Sequence, residues 1–177
     1  MPKVGIAGFA FGNRGKNPLG GYYPSKTDRI MIARARARDY LTSHLLYLQG
    51  EHAYLLTETE RQNLQLCVTQ HHIDPAQYLD SDSVITQIVD RARKDGIEEL
   101  RVMAFPFIHG PYCYFVLRRE AAKYGIRVRS LSLGLGFTLI GWLCAFDELS
   151  YQPWTRGPIQ AFGYATYRFL TKKRRGK

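Results

Sequence analysis

The chain has 177 residues, 45% of them hydrophobic and 23% charged, which suits one compact unit with room for a sizeable core. Its formal charge of +10 and pI near 9.7 depart from that ordinary composition and point to anionic partners. Three cysteines, Cys67, Cys113 and Cys144, are odd in number, far apart and set in apolar surroundings. They argue against a disulfide framework or a zinc site and for a reducing, cytoplasmic compartment.

The N-terminal run "KVGIAGFA" is short, apolar and ended by glycine, which suits a first buried parallel strand and lacks the length of a signal peptide's central region. After a loop rich in Gly, Asn and Pro, "SKTDRIMIARARARDYLTSHLLYL" places Ile30, Ala33, Ala37, Leu41, Leu45 and Leu48 on one helical stripe, with Ser25 or Thr27 as its cap. "HAYLLT" is expected as a second strand. Thr59 then caps a helix carrying Leu64, Leu66 and Val68 up to His71 and His72, and "AQYL" is a very short third strand.

"DSDSVITQIVDRARKDG" opens with capping residues, shows Val84, Ile88, Val89 and Ala92 as an apolar face, and ends at Gly96, so it predicts a helix. "ELRVMAFPF" is strand four. "GPYCYFVLRREAAKYG" is a helix with Pro111 in its first turn and Gly125 just past its end, and "IRVRSLSL" is strand five. The next apolar stretch, Leu131 to Phe146, is too short for a membrane span and holds three glycines, so it is expected to be packed or interfacial.

Five strands separated by helical segments predict an α/β fold: a three-layer α/β/α sandwich with a mainly parallel five-stranded, Rossmann-like sheet over residues 1–133. Residues 134–177 form a C-terminal helical extension packed on the same domain, with a basic tail at 171–177. In such sheets ligands bind beyond the carboxyl ends of the strands, so the loops leaving the strands are where a site is expected.

The first of these loops, "GFAFGNRGKNPLGGYYPSK", is about 19 residues long and contains five glycines. Gly8 and Gly12 free the backbone for close approach, while Asn13, Arg14 and Lys16 offer donors to an anionic group ahead of a helix N-terminus. The competing reading is a glycine-rich lid with no ligand, because the pattern is neither G-x-G-x-x-G nor a P-loop. Glu58 in "TETE" and Ser81, Asp82 and Ser83 in "DSDS" open helices; one cap suffices for one helix start, which leaves the others for a ribose, an amine or a metal-bound water. Asp80 and Asp82 have no histidine nearby in sequence, so no metal site is expected. His109 follows the fourth strand at a helix start, where the positive helix end favours its neutral form. A packed histidine without a task is the competing reading. The catalytic candidates are therefore His109 and Asp82, with His109 as the acid/base of any hydrolase or transferase chemistry.

The segments "VGIAGFAFGNR", "DRIMIARA" and "HHIDPAQYLDSDSVITQIVDRARKDGIEELRVMAFPFIHGPYCYFVLRREAAKYGIRV", with Arg29, Ala33 and His109 within them, resemble the YdcF/SanA/ElyC-like family over about residues 3–128. The family's S-G-G after the second strand is replaced here by "LTETE", and its Thr-Ser pair is missing from "AFPFIHGPY". The resemblance implies a Rossmann-like ligand-binding domain, a nucleotide-like ligand such as S-adenosylmethionine, and a link to bacterial cell-envelope upkeep. It implies no reaction.

Two other classes stay open. Net charge, Tyr22, Tyr23 and the basic tail suit phosphate contacts and stacking in a nucleic-acid binder. The aromatic and basic C-terminal segment suits an anionic membrane surface on the inner face of a membrane. Against both, Trp142, Phe146, Ile159, Phe162, Tyr164 and Phe169 are expected to close the core or a homodimer interface.

Overall fold

A computed structural model describes residues 2–10, 24–68, 81–104 and 109–133. Five strands, β1 (Val4–Gly8), β2 (Leu45–Gln49), β3 (Leu64–Val68), β4 (Glu99–Met103) and β5 (Arg127–Ser130), form one sheet in the order β3-β2-β1-β4-β5. Every pairing is parallel. The helices are α1 (Lys26–Arg36), α2 (Tyr40–Ser43), α3 (Gly50–Tyr54), α4 (Glu58–Arg61), α5 (Ser81–Lys94) and α6 (His109–Ala122). The expected α/β class with a Rossmann-like strand order is present, and among the described residues no helix is long and apolar enough to cross a membrane.

Strand alternation divides the buried side chains into two clusters. Ile6, Leu46, Leu48 and Met103 pack with Met31, Ile32 and Ala35 of α1 and Ala53 of α3. Ala7, Tyr47, Leu100 and Val102 pack with Val84, Ile85 and Ile88 of α5 and Leu117 and Ala121 of α6. Fully burying each Leu or Ile contributes about 1.5–3 kcal/mol, so strand positions that alternate between two apolar clusters fix the register of the sheet. Gly96 and Gly125, at φ +68° and +71°, end α5 and α6 in the left-handed conformation that glycine adopts without steric cost.

Several sequence expectations are corrected. The long helix anticipated from Ser25 to Leu48 ends at Arg36, because Asp39 takes a left-handed φ of 55° and the chain turns. Within that helix Met31, Ile32 and Ala35 are buried whereas Ala33 and Ala37 are exposed, so the true apolar stripe is displaced from the anticipated one. "LLYLQ" is β2, buried through Leu46, Tyr47 and Leu48 on both faces, and "HAYLLT" spans α3 and the turn after it instead of a strand. Likewise "LQLCV", anticipated as helical, is β3. The proposed strand "AQYL" and the extension 134–177 with its basic tail lie outside the described residues.

Candidate functional site

The strand order reverses direction beside β1, whose successors lie on opposite sides: β2 on one, β4 on the other. That switch point is where an open parallel sheet leaves a crevice at its carboxyl edge. Gly8 closes β1 there, opposite Leu48 and Met103, and Phe9 N–H donates to Met103 O at 2.9 Å to carry the β1–β4 pairing one residue further. A Cβ on Gly8 would lie 2.9 Å from His52 Nδ1 and 3.1 Å from Met103 Cε, so only glycine fits this position without displacement.

Beyond β1 the chain returns at Ser25, which caps α1. Ser25 Oγ accepts from Asp28 N–H at 3.0 Å, and Asp28 Oδ2 accepts from Ser25 N–H at 2.9 Å and Ser25 O–H at 2.6 Å. This is the capping box announced by the spacing Ser25-x-x-Asp28. Asp28 also accepts, through Oδ1, from His52 Nε2–H at 2.9 Å, and both side chains are 0% exposed. The other ring nitrogen, Nδ1, faces Gly8, buried and with no hydrogen-bond partner among the described residues. An aspartate in the first turn already complements the α1 dipole, so the start of α1 is poorly suited to a further anion.

The corner between β2 and α3 supplies two further groups. Gln49 Oε1 accepts from Ala10 N–H at 2.6 Å. Glu51 is half-buried, and burial first, then the nearby Asp28, pushes its carboxyl above the usual range. Burial, with Glu51 as a second cause, also pushes the Cys67 thiol of β3 up.

On the other side of the switch point α5 and α6 begin close together: Tyr112 O–H donates to Asp82 Oδ1 at 2.9 Å. His109 is the first residue of α6 and Gly110, buried, the second. The first turn of α6 contains no acid, in contrast to α1 and α5. Its 14 residues and a first turn without an acid of its own give the most favourable helix start for an anion among those described at this edge.

The anticipated site residues are thus distributed as follows. Gly8, Ser81, Asp82, Ser83 and His109 come to the carboxyl edge, on β1, α5 and α6. Glu58 does not: it belongs to α4, which packs on α2 and leads into β3 at the amino ends of the strands, where Asn63 donates to Leu41 O and Thr42 O. The misread β2 had moved it to the wrong edge. Gly12, Asn13, Arg14 and Lys16 lie outside the described residues. Asp28, Gln49, Glu51, His52 and Tyr112 were not anticipated; only Asp28 carried a signal, its capping-box spacing. Among the described residues no group of three or more His, Cys, Asp or Glu side chains could hold a metal.

Comparison with protein-family models, with curated proteins and with solved structures finds no match to this chain.

Proposed function

We propose that the protein binds a nucleotide-like or phosphate-bearing small molecule at the carboxyl edge of the sheet, between β1 and β4. The observation that carries the reading is the start of α6: His109 and Gly110 begin a 14-residue helix directly after β4, beside the switch point, with no acid in its first turn. Asn13, Arg14 and Lys16, from the segment between β1 and α1, supply further donors to the anion, and Ser81 and Ser83 of α5 supply hydroxyls. Asp82, tied to Tyr112, orients the first turn of α6 as well as offering a carboxylate.

The proposal takes the fold as three layers, with α1 and α3 on one face of the sheet and α5 and α6 on the other; the division of the buried side chains into two clusters supports it. The resemblance of residues 3–128 to the YdcF/SanA/ElyC-like family makes S-adenosylmethionine the first nucleotide-like ligand to try. If the protein is an enzyme, His109 is its acid/base and phosphate or carboxylate is held at the helix start.

Calorimetric titration with pyrophosphate, ATP and S-adenosylmethionine tests the reading. Saturable binding by the native chain that is lost in His109→Ala supports it; equal binding by both proteins sinks the assignment of His109.

A further inference from the structure

We propose that the charged face at the start of β4 and β5, with Tyr124 just ahead of β5, is a docking surface for single-stranded nucleic acid. It lies toward the amino ends of the strands, away from the ligand crevice, and does not rest on the reading above. A parallel sheet is ordinarily apolar on both faces because helices cover both. β4 and β5 depart from that pattern. Their register sets Glu99 opposite Arg127 and Arg101 opposite Arg129, and opposed residues of a parallel pair share a face. The alternating residues Leu100, Val102 and Val128 belong to the cluster under α5 and α6. The four charged side chains therefore stand on the other face, with Arg101 beside Ile6 of β1.

Glu99 is the buried centre of this group. Its side chain is 5% exposed, and it pairs with Arg101 Nε at 3.0 Å and with Arg129 Nε at 3.3 Å. One carboxylate thus holds guanidiniums from two adjacent strands, and three arginines against one glutamate leave the block a net positive charge. The Arg129 side chain stays 67% exposed, and Arg127 is exposed beside it. A guanidinium already held in place loses less side-chain freedom when it contacts a phosphate. Tyr124 supplies an aromatic surface: it is 46% exposed, and Arg93 Cζ lies 5.0 Å from its ring centroid. It precedes Arg127 by three residues, a span of at most about 11 Å even in extended chain.

An exposed aromatic ring beside fixed arginines is the combination that holds a single strand, by base stacking and phosphate contacts. The neighbouring acids are engaged: Glu98 Oε1 accepts from Lys3 N–H at 3.2 Å, and Glu120 pairs with Arg119 and Lys123. Arginines spaced at about 4.8 Å across the strands and about 6.6 Å along them meet successive charges of a polyanion, whereas one small anion engages only part of the set. The C-terminal part of the chain does not complement this face, since residues 134–177 carry seven Lys and Arg against Asp147 and Glu148. A bilayer is disfavoured too, because the exposed residues of β5 are Arg127, Arg129 and Ser130, with no apolar side chain to insert.

Fluorescence anisotropy of labelled oligouridylate and oligothymidylate, each about 20 nucleotides long so as to exceed one site of roughly 4–16, tests the proposal on the full chain over a range of salt concentrations. The variants are Arg127→Gln, Arg129→Gln, Tyr124→Ser and Tyr124→Phe, all at exposed positions, with melting temperatures checked against native. The native chain is expected to bind at least one of the strands, and more tightly than a duplex of the same length. Each arginine variant lowers the slope of log affinity against log salt by about 0.7. Tyr124→Ser weakens binding about fivefold or more, and Tyr124→Phe, which keeps the ring, retains it. Absence of binding to both strands overturns the proposal, as does an unchanged salt slope in both arginine variants. Equal or tighter binding of the duplex, or undiminished affinity in Tyr124→Ser, overturns the single-strand assignment. Binding of anionic vesicles without binding of either strand overturns it in favour of a membrane partner, and if one variant fails to fold the remaining ones decide.

Discussion

His52 Nε2 and Asp28 Oδ1 meet at 2.9 Å between two elements 24 residues apart in sequence, with neither side chain exposed to solvent. The contact joins the first turn of α1 to α3 beside the end of β1, and it ties the local chemistry of one helix cap to the global arrangement of the carboxyl edge.

Removing Asp28 leaves His52 buried without the partner of its Nε2, so Asp28→Ala is expected to cost about 3–5 kcal/mol. The same change also deletes the capping box with Ser25. His52→Gln, which can still donate to Asp28, is expected to cost less than half as much. Urea unfolding of the three proteins, with m-values checked for constancy, measures both differences. Equal losses would show that the hydrogen bond is not what holds the ring.

Gly8→Ala adds a methyl where Leu48 Cδ2, His52 Nδ1 and Met103 Cε already converge. Leu48 and Met103 present flexible ends that can turn aside, but the His52 ring is fixed by Asp28 and cannot. The expected loss is roughly 1–3 kcal/mol, read from thermal or chemical unfolding. A neutral result would mean that the His52 ring shifts freely and that the corner is looser than its hydrogen bonds suggest.

Glu51 gives a pH dependence of definite sign. Its folded-state carboxyl lies above the usual range because of burial first and Asp28 second, so the native state tolerates the protonated form better than the ionised one. Stability contributed by this group is present at low pH and is lost as pH rises from the ordinary carboxylate range through the raised value. Glu51→Gln is therefore expected to raise the melting temperature near neutral pH and to have little effect near about pH 3, well below the ordinary carboxylate range, where both states carry a neutral side chain. Glu60 works in the opposite direction: hydrogen bonding to Arg36 holds its carboxyl below the usual range, and its contribution is lost as pH falls. A melting-temperature profile of Glu51→Gln against the native chain separates the two; a gain that persists at low pH would contradict the assignment.

Much of the fold was legible because the relevant signals are local. β1 and β4 lie within the short apolar runs expected for buried parallel strands, and α5 and α6 end at Gly96 and Gly125, where the left-handed turn needs glycine. β2 was hidden because Leu45 and Leu48 continue a three- and four-residue spacing from Leu41, and a strand buried on both faces has no alternation to betray it. Its misplacement carried Glu58 to the carboxyl edge and left "HAYLLT" as a strand, so His52 was invisible as a partner for Asp28. That partnership is tertiary: no spacing in sequence relates residue 28 to residue 52. His109 and Asp82, by contrast, follow from helix starts, which sequence marks well.

The most direct test of the account is thermal denaturation of the native chain and of His109→Ala against nucleotides, S-adenosylmethionine, sugar phosphates, polyphosphates, nucleic acid and anionic lipid at two salt concentrations, because a ligand that binds only the native state raises the melting temperature. The account predicts a specific rise with a phosphate-bearing or nucleotide-like compound, absent in His109→Ala, whose own melting temperature stays close to native. No small-molecule rise, together with a salt-sensitive rise from nucleic acid or lipid, would contradict it and move the function to the basic surface of the chain.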